Sequence, residues 1–255
     1  MANRKTFIFI LLSAAIVFIS GAAYIADKAL FWRAQLNELS ALSNTQQKFP
    51  SKDQHRVVFI GDSIIDAFPV KALISNDYLV VNQGVKGNII EEIQQRYESI
   101  LRETSHDIVV VEGGINNILG GVLDGRNENE VYDSIIKTYG RILDQAIVNQ
   151  VKPLCFELLP VTHAFLLPYS RMITLPTDYD VAQVNKLVLR VNDGLKQLCS
   201  SRSISIIETF EPFSTPQGEA DRRYFHIDGY HVNVFGYSKM ASLINSHLDK
   251  ISIDQ

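Results

Sequence analysis

Short apolar segments alternate with longer helical stretches from residue 57 to the end of the chain, and this alternation constrains the fold more than any other feature. The predicted strands are 57–60, 78–82, 108–112, 153–158 and 204–207, and the predicted helices are 89–102, 129–149, 181–201 and 234–249. Strands that alternate with helices are typical of a parallel sheet covered on both faces. Because ligands of such open sheets bind beyond the carboxyl ends of the strands, the residues that follow each strand are the candidates for function.

A serine follows the first strand directly. The strand stops at Gly61, and Asp62 and Ser63 lie where the chain must turn toward a helix. A serine there is presented on a rigid element, but its hydroxyl needs a base to take its proton. Far downstream, Asp228 precedes His231 by three positions. If these two ends of the chain meet, Ser63, Asp228 and His231 form one set.

The segments after the second and third strands carry glycines and amides. Residues 82–88 contain two glycines, which could let the backbone approach a ligand and direct N–H groups into the cleft. Residues 112–117 contain two glycines followed by Asn116 and Asn117, whose side-chain amides suit donation to an oxygen. A turn before a helix also explains residues 82–88, and the pattern at 112–117 does not by itself establish a site.

Taken together, these segments resemble the SGNH hydrolases, also called the GDSL esterase/lipase superfamily. The four blocks of that family match GDS at 61–63, NQG at 82–84, GIN at 114–116 and DGYH at 228–231, in the same order. The resemblance covers residues 55–250. It implies a flavodoxin-like three-layer α/β/α sandwich with a five-stranded parallel sheet, hydrolysis of an ester or related acyl bond, and no cofactor.

The resemblance also implies a role for each matching residue. Ser63 would attack the acyl carbon, and His231 would take the serine proton and later deliver it to the leaving alkoxide. Asp228 would fix the imidazole tautomer and stabilise its protonated form. The backbone N–H groups of Ser63 and Gly84 and the side-chain amide of Asn116 would form the oxyanion hole.

Substrate contacts outside this set are predicted less directly. Many members of the family have an aspartate where this chain has Asn117, which is usually a supporting position. The apolar stretch 162–180 after the fourth strand is either a lid or acyl pocket, or ordinary packing over the sheet edge. Asp62, Asn117 and His163 are the candidates for substrate contact, His163 because it directly follows the fourth strand.

The N-terminal residues predict a membrane anchor. Arg4 and Lys5 precede an uncharged, mainly apolar run over 7–25, which is long enough to cross a bilayer as a helix. The basic flank favours a cytoplasmic N-terminus and export of the remainder. A signal peptide cleaved near residues 20–22 and a buried core helix are the alternatives. The chain thus divides into a signal anchor (1–26), an amphipathic stalk or linker (27–52) and an SGNH hydrolase domain (53–255).

The charge and the cysteine content of the chain bear on nucleic-acid binding, metal binding and disulfide formation. The 255 residues carry a net charge of −4 without a long basic run, so nothing predicts a nucleic-acid partner. No Cys/His spacing typical of a metal site is present. We interpret Cys155 and Cys199 as two buried free thiols rather than a disulfide.

The leading hypothesis is a membrane-anchored serine esterase that acts outside the cytoplasm, on the periplasmic or extracellular side. Its substrate would be a lipid-like acyl ester or an O-acyl group on an envelope glycan, and cleavage of the anchor would make it a secreted enzyme. An O-acyltransferase that moves the acyl group from Ser63 to a sugar hydroxyl shares the first half-reaction. A non-catalytic binding module would be expected to lack a triad residue, and all three are present.

Overall fold

Five parallel strands form the centre of the domain. The computed structural model describes residues 54–163 and 180–251. The strands are β1 (His55–Gly61), β2 (Tyr78–Gly84), β3 (Ile108–Val111), β4 (Lys152–Phe156) and β5 (Ser205–Ile207). They pair in the order β2-β1-β3-β4-β5, and every pairing is parallel. The chain therefore extends the sheet first to one side of β1 and then to the other.

Helices connect the strands and cover both faces of the sheet. In chain order they are α1 (Ser63–Asp66), α2 (Val70–Leu73), α3 (Ile90–Glu103), α4 (Ile115–Leu123), α5 (Glu128–Val148), α6 (Val181–Ser200) and α7 (Val234–Leu248), with a 3₁₀ helix at Glu211–Phe213. The helices α3 to α6 bury their apolar residues against one face of the sheet, and α1, α2 and α7 bury theirs against the other. The domain is a three-layer α/β/α arrangement.

The central strands are buried on both faces, which explains why their sequences are apolar without interruption. In β1, Val58 and Ile60 belong to the core on the α3–α6 side, whereas Val57 and Phe59 belong to the core on the α7 side. Successive side chains of a strand point to opposite faces of the sheet, so burial on both faces removes the polar alternation of a half-exposed strand.

The structure confirms the five predicted strands and the four long predicted helices, with ends that differ by one or two residues. It adds three helices that the sequence pattern does not predict. Two of them, α1 and α2, are single turns, too short to show a helical period. The third, α4, contains Gly120 and Gly121, and glycine lowers helix propensity. Here Gly121 allows close packing, because a Cβ at that position would lie 2.6 Å from Val131 on α5.

The two cysteines lie in the core between β4 and α6. Cys155 and Cys199 are both fully buried and occur as free thiols, as the sequence interpretation expects. A hydrogen bond with Cys199, together with burial, raises the pKa of the Cys155 thiol well above its usual value. Cys155 therefore stays protonated and packs as a small apolar residue.

The predicted membrane anchor (1–26) and stalk (27–52) lie outside the residues that the structure describes, as does most of the apolar stretch 162–180. These assignments stay predictions. Within residues 54–163 and 180–251, no helix has both the length and the apolar character needed to cross a membrane.

Candidate active site

Ser63 is the first residue of α1 and lies just beyond the carboxyl end of β1. Since β1 is flanked by β2 and β3, the serine lies where the strand order reverses, which is the usual ligand position in open parallel sheets. The preceding Asp62 caps α1, because its carboxylate accepts a hydrogen bond from the Ile64 N–H at 2.9 Å. The buried strand and the cap together fix the backbone that presents Ser63.

Three polar residues from opposite ends of the domain meet at this point. The Oγ atom of Ser63 lies 2.9 Å from Nε2 of His231, and Nδ1 of His231 lies 2.8 Å from Oδ2 of Asp228. The second carboxylate oxygen of Asp228 accepts the His231 backbone N–H at 3.0 Å. The structure thus brings together the set predicted from the sequence, although Ser63 and His231 are 168 positions apart.

The loop that carries Asp228 and His231 is hydrogen-bonded to the segment after β4. The Thr162 N–H donates to the Gly229 carbonyl at 2.9 Å, and the His226 N–H donates to the His231 carbonyl at 2.7 Å. Gly229 has φ of +85°, and a Cβ at this position would lie 2.2 Å from the Thr162 carbonyl oxygen. Glycine is therefore required here both for its backbone conformation and for the close approach of Thr162.

Asp228 is an anion at neutral pH despite its burial. Burial raises its pKa, but the hydrogen bonds and the charge interaction with His231 lower it more, so the pKa of Asp228 lies below its usual value. A carboxylate next to Nδ1 favours the proton on that nitrogen and leaves Nε2 free to accept the Ser63 hydroxyl proton. The arrangement is the one that a general base requires.

Donors for an oxyanion lie at the ends of β1 and β3. As the first helical residue, Ser63 has a backbone N–H with no acceptor inside α1. The Nδ2 atom of Asn116 donates to the Asn88 carbonyl at 3.0 Å and makes a second contact of 3.4 Å with Oδ2 of Asp62. The second contact is long and therefore weak, so the N–H that makes it can donate to a developing oxyanion instead at little cost.

Gly84, the predicted donor at the end of β2, is engaged differently. A Cβ at Gly84 would lie 2.1 Å from the Asp66 nitrogen, so the end of β2 contacts the helix that carries Ser63. However, the Gly84 N–H donates to Oδ1 of Asn82 at 2.8 Å. The expectation that this N–H is directed at the oxyanion is therefore not met in the resting site, because the asparagine two residues earlier supplies a local acceptor.

A buried pair of carboxyl groups lies directly behind the serine. Asp62 and Glu112 are 0% and 2% exposed. Burial raises the pKa of Asp62 to about 6. Burial and the charge of Asp62 raise the pKa of Glu112 well above its usual value. Among the described residues, Oε2 of Glu112 has no hydrogen-bond partner. The raised pKa indicates that the Glu112 carboxyl keeps its proton.

The position of Asp62 corrects one prediction, and Glu112 is a residue of the site that the sequence did not predict. The sequence predicts Asp62 as a candidate for substrate contact, but the residue is completely buried and its oxygens face Ile64, Asn116 and Glu112. Sequence reasoning missed Glu112. The available signal was an acidic residue directly after a strand of four apolar residues, where an exposed side chain is not expected.

The two other candidates for substrate contact differ in position. The amide of Asn117 is used within the protein: its Oδ1 accepts the Ile90 N–H at 2.9 Å and its Nδ2 donates to Oε2 of Glu91 at 2.8 Å, so it joins α4 to α3. His163 lies beside the loop that carries His231, because a Cβ at Gly229 would be 3.2 Å from the His163 carbonyl carbon. His163 thus lies next to the loop of the base, whereas Asn117 belongs to the helix that carries Asn116.

A cleft of about 320 Å³ opens beside Asn116, between α3, α4 and α5. Its lining combines charged and polar groups with a few apolar ones, and the polar residues besides Asn116 are Glu91, Asn117, Asp124, Arg126 and Ser134. Ser134 donates a hydrogen bond to Glu91 inside the cleft. In the part of the chain that the structure describes, no group of His, Cys, Asp or Glu side chains could hold a metal ion.

A parallel sheet in this strand order, with a hydrogen-bonded serine, histidine and aspartate at its carboxyl edge, defines an α/β ester hydrolase of the SGNH type. The chain belongs to the GDSL-like Lipase/Acylhydrolase family, whose model matches residues 59–239. It is accordingly a carboxylic ester hydrolase. No curated protein sequence matches the chain significantly.

Several solved structures share the fold at low sequence identity. A GDSL-like lipase from Bacteroides thetaiotaomicron has a TM-score of 0.61 and 20% identity, covering 86% of this chain and 98% of its own. A lipase/acylhydrolase from Enterococcus faecalis has a TM-score of 0.55 and 15% identity, covering 79% of this chain and 100% of its own. A catalytic mutant of an acetylxylan esterase from Geobacillus stearothermophilus has a TM-score of 0.56 and 18% identity, covering 78% of this chain and 95% of its own.

Proposed function

We propose that the chain hydrolyses carboxylic esters with Ser63 as nucleophile, His231 as general base and acid, and Asp228 as the residue that orients the imidazole. The observation that carries this proposal is the continuous pair of hydrogen bonds from Ser63 Oγ to His231 Nε2, at 2.9 Å, and from His231 Nδ1 to Asp228 Oδ2, at 2.8 Å. A serine becomes an effective nucleophile when an adjacent base, oriented by a third group, removes its proton.

The proton passes through His231 in both half-reactions. Nε2 takes the Ser63 hydroxyl proton as Oγ bonds to the acyl carbon, and it returns that proton to the leaving alkoxide as the ester C–O bond breaks. A water molecule then attacks the acyl–Ser63 ester and gives one proton to Nε2. Collapse of this second intermediate releases the carboxylic acid, and the proton on Nε2 returns to Ser63 Oγ.

The oxyanion in each step needs donors that are already in place. Among the described residues, the Ser63 N–H and the Asn116 N–H that faces Asp62 meet this requirement, because the first has no acceptor inside α1 and the second makes only a long contact of 3.4 Å. The Gly84 N–H would contribute if it exchanged Asn82 for the oxyanion, since Asn82 Oδ1 is its present acceptor. Removal of a single donor of this kind typically costs about 10²–10³ in kcat.

The polar cleft beside Asn116 favours an ester whose alcohol part is hydroxylated, such as an O-acyl glycan. Two carboxylates, two amides and a guanidinium line the cleft, and groups of this kind form hydrogen bonds with hydroxyls. A lipid-like acyl ester is the second candidate, since the sequence of 162–180 is rich in large apolar residues that would suit an acyl pocket. The two candidates differ in which part of the ester the enzyme recognises.

Turnover of p-nitrophenyl esters from acetate to decanoate by the full chain in detergent would test the proposal. Ser63→Ala should abolish turnover, whereas the matched control Ser246→Ala should not. Ser246 is an exposed serine on α7 that, among the described residues, bonds only within its own helix. Preference for acetate, and release of acetate from acetylated oligosaccharides, would support the glycan ester. Preference for long chains would support the lipid-like ester. Turnover that survives Ser63→Ala would contradict the proposed nucleophile.

Product analysis separates hydrolysis from acyl transfer. In the presence of a non-acetylated oligosaccharide, a hydrolase releases all of the acyl group as free acid, and a transferase forms a new sugar ester at the expense of the acid. We propose hydrolysis, and formation of the sugar ester as the main product would overturn it.

We also propose that residues 1–26 keep the enzyme at a membrane with its catalytic domain outside the cytoplasm. The support is the apolar run after Arg4 and Lys5. Retention of the full chain in membranes after alkaline carbonate washing, with the domain accessible to protease only from the outer side, is the expected result. Release into the wash would contradict an uncleaved anchor.

A further inference from the structure

The donors of the proposed oxyanion hole come from the ends of three strands. Ser63 follows β1, Gly84 ends β2, and Asn116 follows β3. The pairing of Gly61 with Gly84 and the hydrogen bond from the Val85 N–H to the Gly61 carbonyl hold the ends of β1 and β2 together, but neither contact involves the segment that leads into α3. A contact that joins all three places would help to hold the donors at the defined spacing that an oxyanion requires.

One side chain, Arg96 on α3, donates hydrogen bonds to three points around this site. Its Nη2 donates to the Gly61 carbonyl at 2.9 Å, and its Nε donates to the Gln83 carbonyl at 3.1 Å. Its Nη1 donates to Oδ1 of Asn88. The three acceptors belong to the end of β1, the end of β2 and the segment that leads into α3.

Each of these acceptors is next to an oxyanion donor. Gly61 is two residues before Ser63, and Gln83 directly precedes Gly84. The third acceptor, Asn88, receives the Asn116 amide on its backbone carbonyl at 3.0 Å. A shift of the guanidinium would therefore move all three donors relative to one another.

The chemistry of arginine suits this position. The guanidinium is planar and presents five N–H donors in fixed directions, so it can bind three acceptors in one geometry. Arg96 is half-buried, which limits competition from water. Lysine in its place would keep the positive charge, but its single ammonium group could not reproduce the planar set of contacts.

We propose that Arg96 is the positioning residue that sets the spacing of the oxyanion donors Ser63, Gly84 and Asn116. It acts through these residues, because its Nε, Nη1 and Nη2 atoms each donate to an acceptor beside one of them. The inference rests on the proposed function, because the donors have this role only if Ser63 attacks an ester.

The test compares Arg96→Lys with Arg102→Lys in the full chain. Arg102 lies on the same helix, is exposed, and within the part of the chain that the structure describes donates only to Oγ of Ser99, one turn away. For each variant we would measure kcat and KM per active site titrated with a fluorophosphonate, the pH profile of kcat, and the affinity for a trifluoromethyl ketone. Such a ketone forms a hemiketal with the serine and places an oxyanion in the hole.

Arg96→Lys is expected to lower kcat about 100-fold, the loss typical of a misplaced or missing catalytic group, while KM stays within about twofold. Affinity for the trifluoromethyl ketone should fall by a similar factor, since it depends on the same donors. The pH profile should keep its shape, because the Ser63, His231 and Asp228 contacts do not involve Arg96. Arg102→Lys should match the unmodified chain in every measurement.

Three results would overturn the inference. One is kcat per titrated site within about threefold of the unmodified chain, which would make any loss of activity a loss of folded protein. Another is a fall in kcat with unchanged affinity for the ketone, which would separate Arg96 from the oxyanion. The last is an unmodified chain without Ser63-dependent turnover, which would overturn the proposed function as well, whereas the first two results leave that function intact.

Discussion

The two sides of the active site are built in different ways. On the nucleophile side, Ser63, Gly84 and Asn116 lie at the ends of adjacent strands. The pairing of Gly61 with Gly84 in the ladder of β1 and β2 fixes how far Ser63 and Gly84 lie from each other along the strand direction. On the base side, Asp228 and His231 lie on a long irregular loop between β5 and α7. The sheet ladder and the Arg96 contacts position the first group, whereas hydrogen bonds within the loop and to Thr162 position the second.

This difference predicts how each side responds to change. The nucleophile side has several donors that share one task, so the loss of one should leave partial activity. The base side has one imidazole that handles every proton, so its loss should remove nearly all activity. Backbone changes should be more harmful in the loop, because it lies outside the five-stranded sheet and its geometry depends on its own hydrogen bonds.

The largest effect is expected on the base side. His231→Ala should lower kcat by about 10⁵–10⁶-fold, because the nucleophile and its base act as a unit. Ester turnover under saturating substrate is the measurement, with His247→Ala as control. His247 is on α7, and of the residues that the structure describes it bonds only to the Leu243 carbonyl of its own helix. A loss below about 10²-fold would show that another group acts as the base.

The loss of one donor on the nucleophile side should be smaller. Asn116→Ala is expected to lower kcat by about 10²–10³-fold with little change in the free energy of unfolding. Asn149→Ala is a matched control, because Asn149 is exposed and its amide donates only to the Gln145 carbonyl. Activity equal to that of the control would remove Asn116 from the site.

The backbone of the base-side loop can be tested with two glycines. Gly229 and Gly218 have similar φ values of +85° and +79°, but only at Gly229 would an added Cβ have neighbours within 4 Å, namely the Thr162 carbonyl and adjacent atoms. Alanine at either position should cost about 1–2 kcal/mol for the left-handed conformation. Gly229→Ala should cost a further ~1–3 kcal/mol from overpacking and should also lower kcat.

Urea unfolding and ester turnover of both variants provide the measurement. Equal stability losses, with full activity in Gly229→Ala, would mean that the contact with Thr162 does not position the loop. A loss of activity in Gly218→Ala alone would contradict the expectation that Gly229 is the glycine that positions the catalytic loop.

The smallest effect on catalysis is expected from the buried carboxyl pair beneath the nucleophile side. The pKa of Glu112 is raised well above its unfolded value, mainly by burial, so the folded protein keeps a proton that the unfolded chain releases. This contribution to stability is present below the unfolded pKa and is lost as the pH rises toward the folded pKa. Glu112→Gln mimics the protonated acid and should therefore remove that loss.

Urea unfolding at pH 5 and pH 8 tests this sign. The free energy of unfolding of Glu112→Gln, taken relative to that of the unmodified chain at the same pH, should be higher at pH 8 than at pH 5. Its kcat at neutral pH should change only a few-fold. Glu103→Gln, an exposed acid at the end of α3, is the control and should show no such difference. A stability difference that is the same at both pH values would contradict a protonated Glu112.

Much of the fold was predictable because each strand and long helix carries its own pattern. The uninterrupted apolar run of β1 and the helical period of α5 depend on local burial, and burial leaves its record in the residue types. The helices α1 and α4 were not predictable, because one is a single turn and the other contains two glycines whose small size matters only against a neighbour.

The candidate site shows the same division. The four sequence blocks predicted Ser63, Asp228 and His231 as one set, and the resemblance named Gly84 and Asn116. The engagement of the Gly84 N–H by Asn82 and the complete burial of Asp62 were not predictable. Both features depend on the distances between groups in the fold, whereas the sequence shows only which groups are present.

By itself, the sequence determined the order of strands and helices, the residues able to carry out ester hydrolysis, and the absence of polar alternation in the central strands. Only the tertiary structure decided which of these residues touch, that Glu112 lies against Asp62, and that Arg96 reaches Gly61, Gln83 and Asn88. The physical reason is that periodicity and residue type record local burial, whereas a hydrogen bond between distant segments depends on how whole elements pack, and no single segment carries that information.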